Sequence, residues 1–247
     1  MDAEGGRSAR GGADAGGGDA AAGVSLVRTD AGLALVGEGM SVTCDFSRLS
    51  ARIRPGALSR EPIVRAARQS GARGGGRPWA VDATAGLGED AYLLAAAGFS
   101  VDLYEHNPLV AALLADGLAR AAEGADTAPV VARMRLHEGD GARALEAMAA
   151  DGSRPDVAFL DPMYPARRKS AQVKKKPQLL QRLEAPSTPE EQARLLRAAL
   201  AAGPAKVVVK RPAKGPFLAN VKPSYSLQSK AVRLDVYLPA SMPAQPF

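Results

Sequence analysis

The stretch VDATAGLGEDAYLLAAAG, Val81–Gly98, passes from an apolar segment through two close glycines into a segment rich in alanine and leucine. This order is typical of a buried strand that turns tightly into a helix. Gly86 and Gly88 let the backbone turn sharply and leave room for a ligand to approach it, because neither carries a Cβ atom. In a doubly wound sheet, ligands bind beyond the carboxyl ends of the strands. The turn therefore predicts both a fold class and a ligand site.

Apolar strands continue to alternate with helices downstream of this turn. The expected strands are Trp79–Ala83, Ser100–Tyr104, Val130–Leu136, Asp156–Leu160 and Lys206–Lys210, with one more in KAVRLDVYLP. The expected helices lie near 89–97, 108–122, 141–150 and 188–202. The last helix has clear start chemistry, since Thr188 can cap it, Pro189 suits its first turn and Glu191 completes a capping box. The pattern predicts an α/β protein with a doubly wound, Rossmann-like parallel sheet and helices on both faces.

Composition divides the chain of 247 residues into three parts. Residues 1–22 are rich in glycine and alanine and lack the apolar side chains that would offset the entropy of ordering them, so we expect a disordered tail. Residues 23–60 alternate short β-prone segments with glycine turns, which predicts a small antiparallel β appendage. Residues 61–247 carry the α/β pattern and form the expected main domain.

Several classes of protein are excluded by what the sequence lacks. No apolar run approaches the roughly 18 residues of a membrane-spanning helix. Cys44 is the only cysteine, so an internal disulfide framework is excluded, and we expect a reducing, cytoplasmic environment. With only His106 and His137 beside Cys44, no Cys/His metal cluster can be assembled, and we expect no metal.

Acidic residues at the strand ends favour a cationic nucleoside ligand. The turn lacks the third glycine of the dinucleotide fingerprint, because Ala91 stands there, and Asp90 would repel a pyrophosphate. An acid in the turn instead suits S-adenosylmethionine, which has a ribose and a cationic amino-acid end. Glu105 lies about twenty residues after the first turn, where its carboxylate can accept both ribose hydroxyls.

Four successive strands carry acids at their ends. These acids are Asp82 with Asp90, then Glu105, Asp140 and Asp161. Asp140 and Gly141 suit the adenine edge of the same ligand. Taken singly, each acid is more simply a helix cap or a solvated turn residue, and Asp140 in particular can cap the helix that follows it. Together they favour a methyltransferase site.

The motif DPMYP, residues 161–165, carries the expected reaction chemistry. It is similar to the Asp/Asn/Ser-Pro-Pro-Tyr/Phe motif of methyltransferases that act on nucleobase amines. Such an amine is a poor nucleophile because its lone pair is delocalised. The Asp161 carboxylate and the Pro162 carbonyl would accept its hydrogens and stabilise the developing positive charge, while Tyr164 would stack on the base. The alternative is a proline-rigid loop with a tyrosine that faces the core.

A basic run, ARRKSAQVKKK, follows the reactive motif directly and contains no acid. It favours an anionic partner whose phosphates flank the target base. The expected RNA contacts are Arg167, Arg168, Lys169, Lys174, Lys175 and Lys176, with Lys210 and Arg211 on the same rim. The alternative is a solvated basic loop. Because aromatic residues make up only 4% of the chain, no extended stacking platform is expected, and recognition would rest on RNA shape and phosphates.

Four segments together resemble the ribosomal RNA small-subunit methyltransferase J family. They are VDATAGLGEDAYLLAAAG, YEHNPLVAALLADGLARA, LDPMYPARRKSAQVKKK and KVVVKRP, and the resemblance covers roughly residues 24–238. It implies a seven-stranded class I methyltransferase sheet that methylates a guanine N2 of bacterial 16S ribosomal RNA with S-adenosylmethionine. It implies cofactor contacts at Glu89, Asp90, Glu105, His106, Asp140, Gly141 and Asp161.

Other function classes remain open at this stage. A methyltransferase for another RNA or a small molecule would explain the cofactor motifs, but a small-molecule enzyme would leave the basic run unexplained. A non-catalytic RNA-binding module of the same fold would explain the basic run without needing cofactor affinity. A nicotinamide dehydrogenase is disfavoured by the missing third glycine. The sequence predicts a partner, ribosomal RNA or the small ribosomal subunit, but no oligomeric state.

Overall fold

The computed structural model describes residues 23–68, 72, 75–163, 179–180, 182–183 and 186–239. The expected disordered tail, residues 1–22, lies outside the described residues and stays a prediction. In the described ranges, no helix combines the length and the apolar character needed to cross a membrane.

The amino-terminal part is a small antiparallel sheet, as the sequence predicts. Its strands pair in the order β1 (Ser25–Thr29), β2 (Gly32–Gly37) and β3 (Met40–Thr43). Two short helices follow, α1 (Pro55–Leu58) and α2 (Pro62–Ala67). Leu35 and Val42 belong to the same apolar cluster as residues of the large sheet, so the appendage is packed onto the main domain. The boundary after residue 60 stays a prediction.

The large sheet has seven strands, which confirms the predicted α/β class. The strands are β4 (Trp79–Asp82), β5 (Ser100–Glu105), β6 (Met134–Glu138), β7 (Val157–Leu160), β8 (Lys206–Pro212), β9 (Tyr225–Gln228) and β10 (Val232–Tyr237). They lie in the order β6-β5-β4-β7-β8-β10-β9. The first five pair in parallel, whereas β10 runs antiparallel to both β8 and β9.

Helices cover both faces of this sheet. They are α3 (Glu89–Ala96), α4 (Pro108–Glu123), α5 (Ala128–Val131), α6 (Gly141–Asp151) and α7 (Pro189–Ala201). One face packs around a cluster that includes Leu93 and Leu103, and the other around a cluster that includes Leu145 and Leu196. All four residues of β7 are buried, as expected for a central parallel strand that is covered on both sides. The carboxyl ends of β4, β5, β6 and β7 therefore meet along one edge.

The capping box at α7 is confirmed. The Thr188 hydroxyl accepts the Glu191 amide at 3.2 Å, and the Glu191 carboxylate accepts the Thr188 amide at 2.8 Å. These reciprocal bonds satisfy amides that would have no partner inside the helix.

The predicted strand Val130–Leu136 is wrong in its first half. Residues Ala128–Val131 form the helix α5, and the strand β6 starts only at Met134. Pro129 explains the difference, because proline suits the first turn of a helix but removes a donor from a strand ladder. The edge strand β9 was not predicted, because it has only four residues and three of them are exposed.

Candidate active site

The turn between β4 and α3 uses its two glycines in different ways. Gly86 and Gly88 have φ values of +54° and +69°, in the left-handed region that favours glycine. A Cβ on Gly86 would meet no atom within 4 Å, so open space lies over this part of the turn. A Cβ on Gly88 would come within 2.9 Å of Leu114 Cδ1 in α4. Gly86 therefore leaves room for a ligand, whereas Gly88 permits close packing at the start of α3.

Glu105 ends β5 and lies against this turn. Its side chain is only 7% exposed. One carboxylate oxygen, Oε2, accepts the Gly86 amide at 2.8 Å, and the other, Oε1, accepts the Asn107 amide at 2.8 Å. A carboxylate offers about four acceptor positions, so each oxygen keeps one for a further donor. The structure thus brings together Gly86 and Glu105, which the sequence assigns to one ligand.

Glu89 and His106 flank these two residues. Glu89 lies in the first turn of α3. His106 follows Glu105, with Nδ1 at 3.7 Å from Glu105 Oε1, and its side chain is 65% exposed. Both lie near the turn as predicted, and their contacts with a cofactor stay predictions.

Asp140 and Gly141 begin α6 at the neighbouring strand end. Asp140 Oδ1 accepts the Ala142 amide at 2.8 Å, and Oδ2 accepts from Arg194 of α7 at 2.6 Å. Partial burial alone would raise the pKa of Asp140, but these contacts outweigh it and lower the pKa. A Cβ on Gly141 would lie 2.1 Å from the Ala83 carbonyl oxygen, so only glycine allows this approach. Asp140 is thus a helix cap, and its adenine contact stays a prediction.

Asp82 lies beneath the turn. It is 1% exposed, and its Oδ1 accepts the Thr84 amide at 3.1 Å. Burial, with a further contribution from Asp90 and Asp161, raises the pKa of Asp82 to about 8. Asp82 thus has almost no accessible surface, and its direct contact with the cofactor stays a prediction.

Asp161 directly follows β7 and is fixed by two neighbours. Its amide donates to the Thr84 hydroxyl at 2.6 Å, and its carboxylate Oδ2 lies 2.9 Å from Lys210 Nζ. Lys210 also contacts Asp90 Oδ2 at 2.5 Å. Desolvation raises the pKa of Asp161, with Lys210 acting in the opposite direction and Asp90 adding to the rise. The predicted reactive acid and the acid of the glycine turn are thus joined through one ammonium group.

Lys210 and Arg211, predicted to contact RNA, are both engaged by protein groups. Lys210 is held between two carboxylates. Arg211 is 2% exposed, and its Nε donates to the Pro216 carbonyl at 3.1 Å. The RNA contacts of both residues stay predictions.

Other predicted residues lie outside the described part of the chain. They are Tyr164, Arg167, Arg168, Lys169, Lys174, Lys175 and Lys176. Pro162 is described and buried directly after Asp161. Within the described ranges, no group of three or more histidine, cysteine or acidic side chains is arranged to hold a metal ion.

Sequence analysis missed two residues that organise the site. Thr84 accepts the Asp161 amide and so ties the end of β7 to the turn after β4. The Asn107 side chain accepts the Leu109 and Val110 amides at 3.0 and 3.3 Å and caps α4. The dipeptide Asn107-Pro108 signals such a helix start. No comparable local signal identifies Thr84, because its partner is 77 residues away.

Comparison with known proteins assigns a family to this arrangement. The family described as "Putative SAM-dependent methyltransferase" matches residues 18–239. Proteins named "Ribosomal RNA small subunit methyltransferase J" are similar over most of the chain. The one from Nitrosococcus oceani is 46% identical over 76% of this chain and 71% of its own length. The one from Neisseria meningitidis is 41% identical over 84% of this chain and 80% of its own length.

The chain belongs to the ribosomal RNA small subunit methyltransferase J family. A methyltransferase J protein from Pseudomonas aeruginosa is 48% identical over 69% of this chain, and the match spans 64% of that relative's length. Among solved structures, a SAM-dependent methyltransferase from Neisseria gonorrhoeae is similar with a TM-score of 0.69 and 33% identity, over 90% of this chain and 85% of that one. The seven-stranded methyltransferase sheet implied by the resemblance is thereby confirmed.

The residues of this site fit S-adenosylmethionine, the cofactor in the description of the matching family. Glu105 keeps acceptor positions for two ribose hydroxyls, and open space lies over Gly86. With Asp90 and Asp161 ionised and Lys210 protonated, this cluster carries one excess negative charge, which complements a sulfonium cation.

Proposed function

We propose that this protein transfers a methyl group from S-adenosylmethionine to the exocyclic N2 amine of a guanine in bacterial 16S ribosomal RNA. The observation that carries the proposal is the position of Asp161. Asp161 follows the central strand β7 and is the first residue of the DPMYP motif. Its amide donates to the Thr84 hydroxyl in the turn after β4, and its carboxylate contacts Lys210. The relatives' printed name, ribosomal RNA small subunit methyltransferase J, supports the class of substrate.

The chemistry divides between cofactor and protein. S-adenosylmethionine, when bound, supplies an electrophilic methyl group on its sulfonium. The protein must make a weakly nucleophilic amine reactive, and the Asp161 carboxylate and Pro162 carbonyl are the acceptors proposed for its hydrogens. Acceptors fixed in this way favour a pyramidal nitrogen and stabilise the positive charge that develops on it.

The proton of the methylated amine needs no strong base. The alkylated nitrogen is acidic and loses its proton readily once the methyl group is attached. Asp161 only has to be ionised and in hydrogen-bond contact before transfer, and Lys210 lies within 2.9 Å to favour that charged form. Pro162 is buried directly after the acid, and a proline at this position disfavours a helical backbone at Asp161.

RNA binding is assigned to the basic run that follows the reactive motif. Arg167–Lys169 and Lys174–Lys176 directly succeed Asp161 and Tyr164 in the chain, so they would contact phosphates beside the target base. Tyr164 would stack on the target base after that base has left the RNA helix. The partner would be ribosomal RNA or the small ribosomal subunit, met in the cytoplasm.

Nucleoside analysis tests the proposed function. Ribosomal RNA from a strain that lacks this protein should lose one N2-methylguanosine per 16S molecule, detected by mass spectrometry of the digested RNA. Re-expression of the wild-type chain should restore it, and an Asp161→Ala variant at equal abundance should not. An unchanged nucleoside profile in the deletion strain would contradict the proposal. Calorimetry with S-adenosylmethionine distinguishes an enzyme from an RNA-binding module, because only the enzyme needs the cofactor.

A further inference from the structure

The position of Lys210 differs from that of an RNA-binding lysine. The register pairs Leu160 of β7 with Val209 of β8, so the residues that follow, Asp161 and Lys210, lie side by side at the strand ends. The Lys210 ammonium contacts Asp161 Oδ2 at 2.9 Å and Asp90 Oδ2 at 2.5 Å. Its side chain is 30% exposed. One cation thus joins the reactive strand end to the first turn of α3.

The charges around Lys210 explain why it stays in this position. Burial works against its positive charge, but the two carboxylates outweigh that effect and raise the pKa of Lys210. A lysine held by two acids at these distances would have to lose both contacts before it could reach a phosphate. Removing one partner of such a partly buried cluster leaves the others uncompensated, which is far costlier than losing a surface contact.

We propose that Lys210 is a positioning residue that holds the Asp161 carboxylate in its charged form and fixes it relative to Asp90 and the glycine turn. Lys210 does not contact the methyl acceptor in this role, and acts through Asp161. The proposal rests on the proposed function for its catalytic consequence, but the ionic contact itself belongs to the protein alone.

The charged groups that face Asp161 determine the expected pH behaviour. Lys210 and Arg211 from β8 favour its ionised form, whereas Asp90 from α3 disfavours it. Asp82, at the end of β4, is close enough to Asp90 and Asp161 for these acids to raise its pKa. Arg211 is engaged by the Pro216 carbonyl, so Lys210 is the cation in direct contact. Its removal should therefore raise the pKa of Asp161 further, because a close opposite charge favours the ionised carboxylate.

The test compares Lys210→Met with the charge-preserving Lys210→Arg. Lys210→Gln supplies a second neutral variant if the methionine side chain disturbs folding. Lys214→Met is the matched control, because Lys214 is an exposed lysine four residues further along the chain. The protonation midpoint of Asp161 is measured on the protein without RNA, by carbon NMR of labelled aspartate carboxyls, with Asp161→Asn to assign the signal.

Lys210→Met should raise the Asp161 midpoint and move the acid limb of the kcat profile upward by a similar amount. At pH values below both midpoints, kcat should then fall by the factor that matches the measured shift, tenfold for each pKa unit. The KM for RNA and the salt dependence of RNA binding should stay near wild type. Lys210→Arg should keep most of the wild-type pH profile of kcat. Lys214→Met should change neither the Asp161 midpoint nor kcat.

Two results would overturn the inference. An unchanged Asp161 midpoint in both neutral variants would show that Lys210 does not control that carboxylate. A salt slope lowered by about one unit in Lys210→Met, with an unchanged pH profile, would show that Lys210 is a phosphate ligand instead. The carboxyl titration needs no methyl transfer, so a failed proposed function and a failed role of Lys210 give different patterns of results.

Discussion

The two halves of the site are held together by different kinds of contact. On the cofactor side, the Glu105 carboxylate is fixed by the Gly86 and Asn107 amides. On the acceptor side, Asp161 is fixed by the Lys210 ammonium, which it shares with Asp90. Backbone amides do not titrate, whereas a cluster of two carboxylates and a lysine does. Turnover should therefore depend on the protonation of the acceptor side.

The largest expected effect is on the acceptor side. Asp161→Ala removes the acceptor that would orient the amine and stabilise its charge, so kcat should fall by roughly a hundredfold or more, the scale of one preorganised electrostatic contact. RNA affinity should change little, because phosphate contacts elsewhere supply most of it. Single-turnover methyl transfer at saturating RNA measures the loss of rate, and filter binding measures RNA affinity.

Asp161→Asn separates charge from shape in this experiment. It retains an acceptor oxygen at nearly the same place but loses the negative charge. If charge stabilisation dominates, this variant should be almost as slow as Asp161→Ala. Methyl transfer at the wild-type rate in either folded variant would remove Asp161 from the reaction.

The next effect is on the cofactor side. Glu105→Ala should weaken S-adenosylmethionine binding by about 1.5–3 kcal/mol, the contribution of hydrogen bonds to a charged acceptor, or roughly ten- to a hundredfold in Kd. Isothermal calorimetry checks this. Since Glu105 also receives the Gly86 and Asn107 amides, circular dichroism must show that the variant is folded.

Glu138 provides a matched control for Glu105. It ends the neighbouring strand β6 directly opposite Glu105 in the register, but it is exposed. Glu138→Ala should therefore leave the Kd for S-adenosylmethionine unchanged. Equal losses in both variants would indicate a general electrostatic effect of the sheet edge and no specific ribose contact.

A smaller effect is expected for the basic run. Reversing the charges of Lys174, Lys175 and Lys176 should weaken RNA binding and lower the log–log salt slope by about one unit per lost phosphate contact. Affinity for S-adenosylmethionine should stay near wild type. These lysines lie outside the described residues, so this prediction is made from the sequence.

A second triple variant controls for net charge. Lys214, Lys222 and Lys230 are exposed residues elsewhere, and their reversal changes the total charge equally. If both triple variants lower the salt slope alike, RNA binding would depend on overall charge, and the basic run would have no special role. Fluorescence anisotropy at several salt concentrations measures the salt slope of RNA binding for both triple variants.

The contrast between the two halves also explains what the sequence predicts well. The glycine turn and the capping box rest on residues within a few positions of each other, and local chemistry decides them. The strand Val130–Leu136 was misassigned because apolar residues alone cannot distinguish a strand from a short helix, whereas Pro129 favours the helix. Edge strand β9 has only four residues, too few for its alternation of apolar and polar side chains to be a clear signal.

The site could be predicted only in part, because some of its contacts join residues that are far apart in the chain. Glu105 and Asp161 follow apolar strands, and parallel strands bring their carboxyl ends to one edge, so their proximity could be anticipated. The role of Lys210 could not, because it depends on Asp90, which is 120 residues away. From the sequence, a lysine in a basic protein suggests a phosphate contact. Only the fold reveals that two acids already surround it.

The last expected effect is on stability and not on activity, and it concerns Asp82. The pKa of this carboxyl is about 8 in the folded protein, against an ordinary value of 3.8. Between these values the folded state holds a proton that the unfolded state has lost, so the free energy of unfolding decreases as pH rises from about 4 to about 8. Asparagine does not titrate. Asp82→Asn should therefore gain stability relative to wild type progressively over this window, with no further gain above it.

Thermal unfolding at several pH values measures this difference. We expect the Tm of Asp82→Asn minus that of wild type to become more positive between pH 5 and pH 8, by roughly ten degrees, since each pH unit in this window corresponds to about 1.4 kcal/mol and 1 kcal/mol shifts the Tm of a domain of this size by about 2–4 °C. Asp30→Asn, in the exposed turn after β1, should give a nearly constant difference. A constant difference for Asp82→Asn as well would mean that this carboxyl is ionised in the fold. Asp82, Asp90, Asp161 and Lys210 together would then carry two excess negative charges. Lys210 would stabilise the Asp161 carboxylate against a larger negative charge than when Asp82 is protonated.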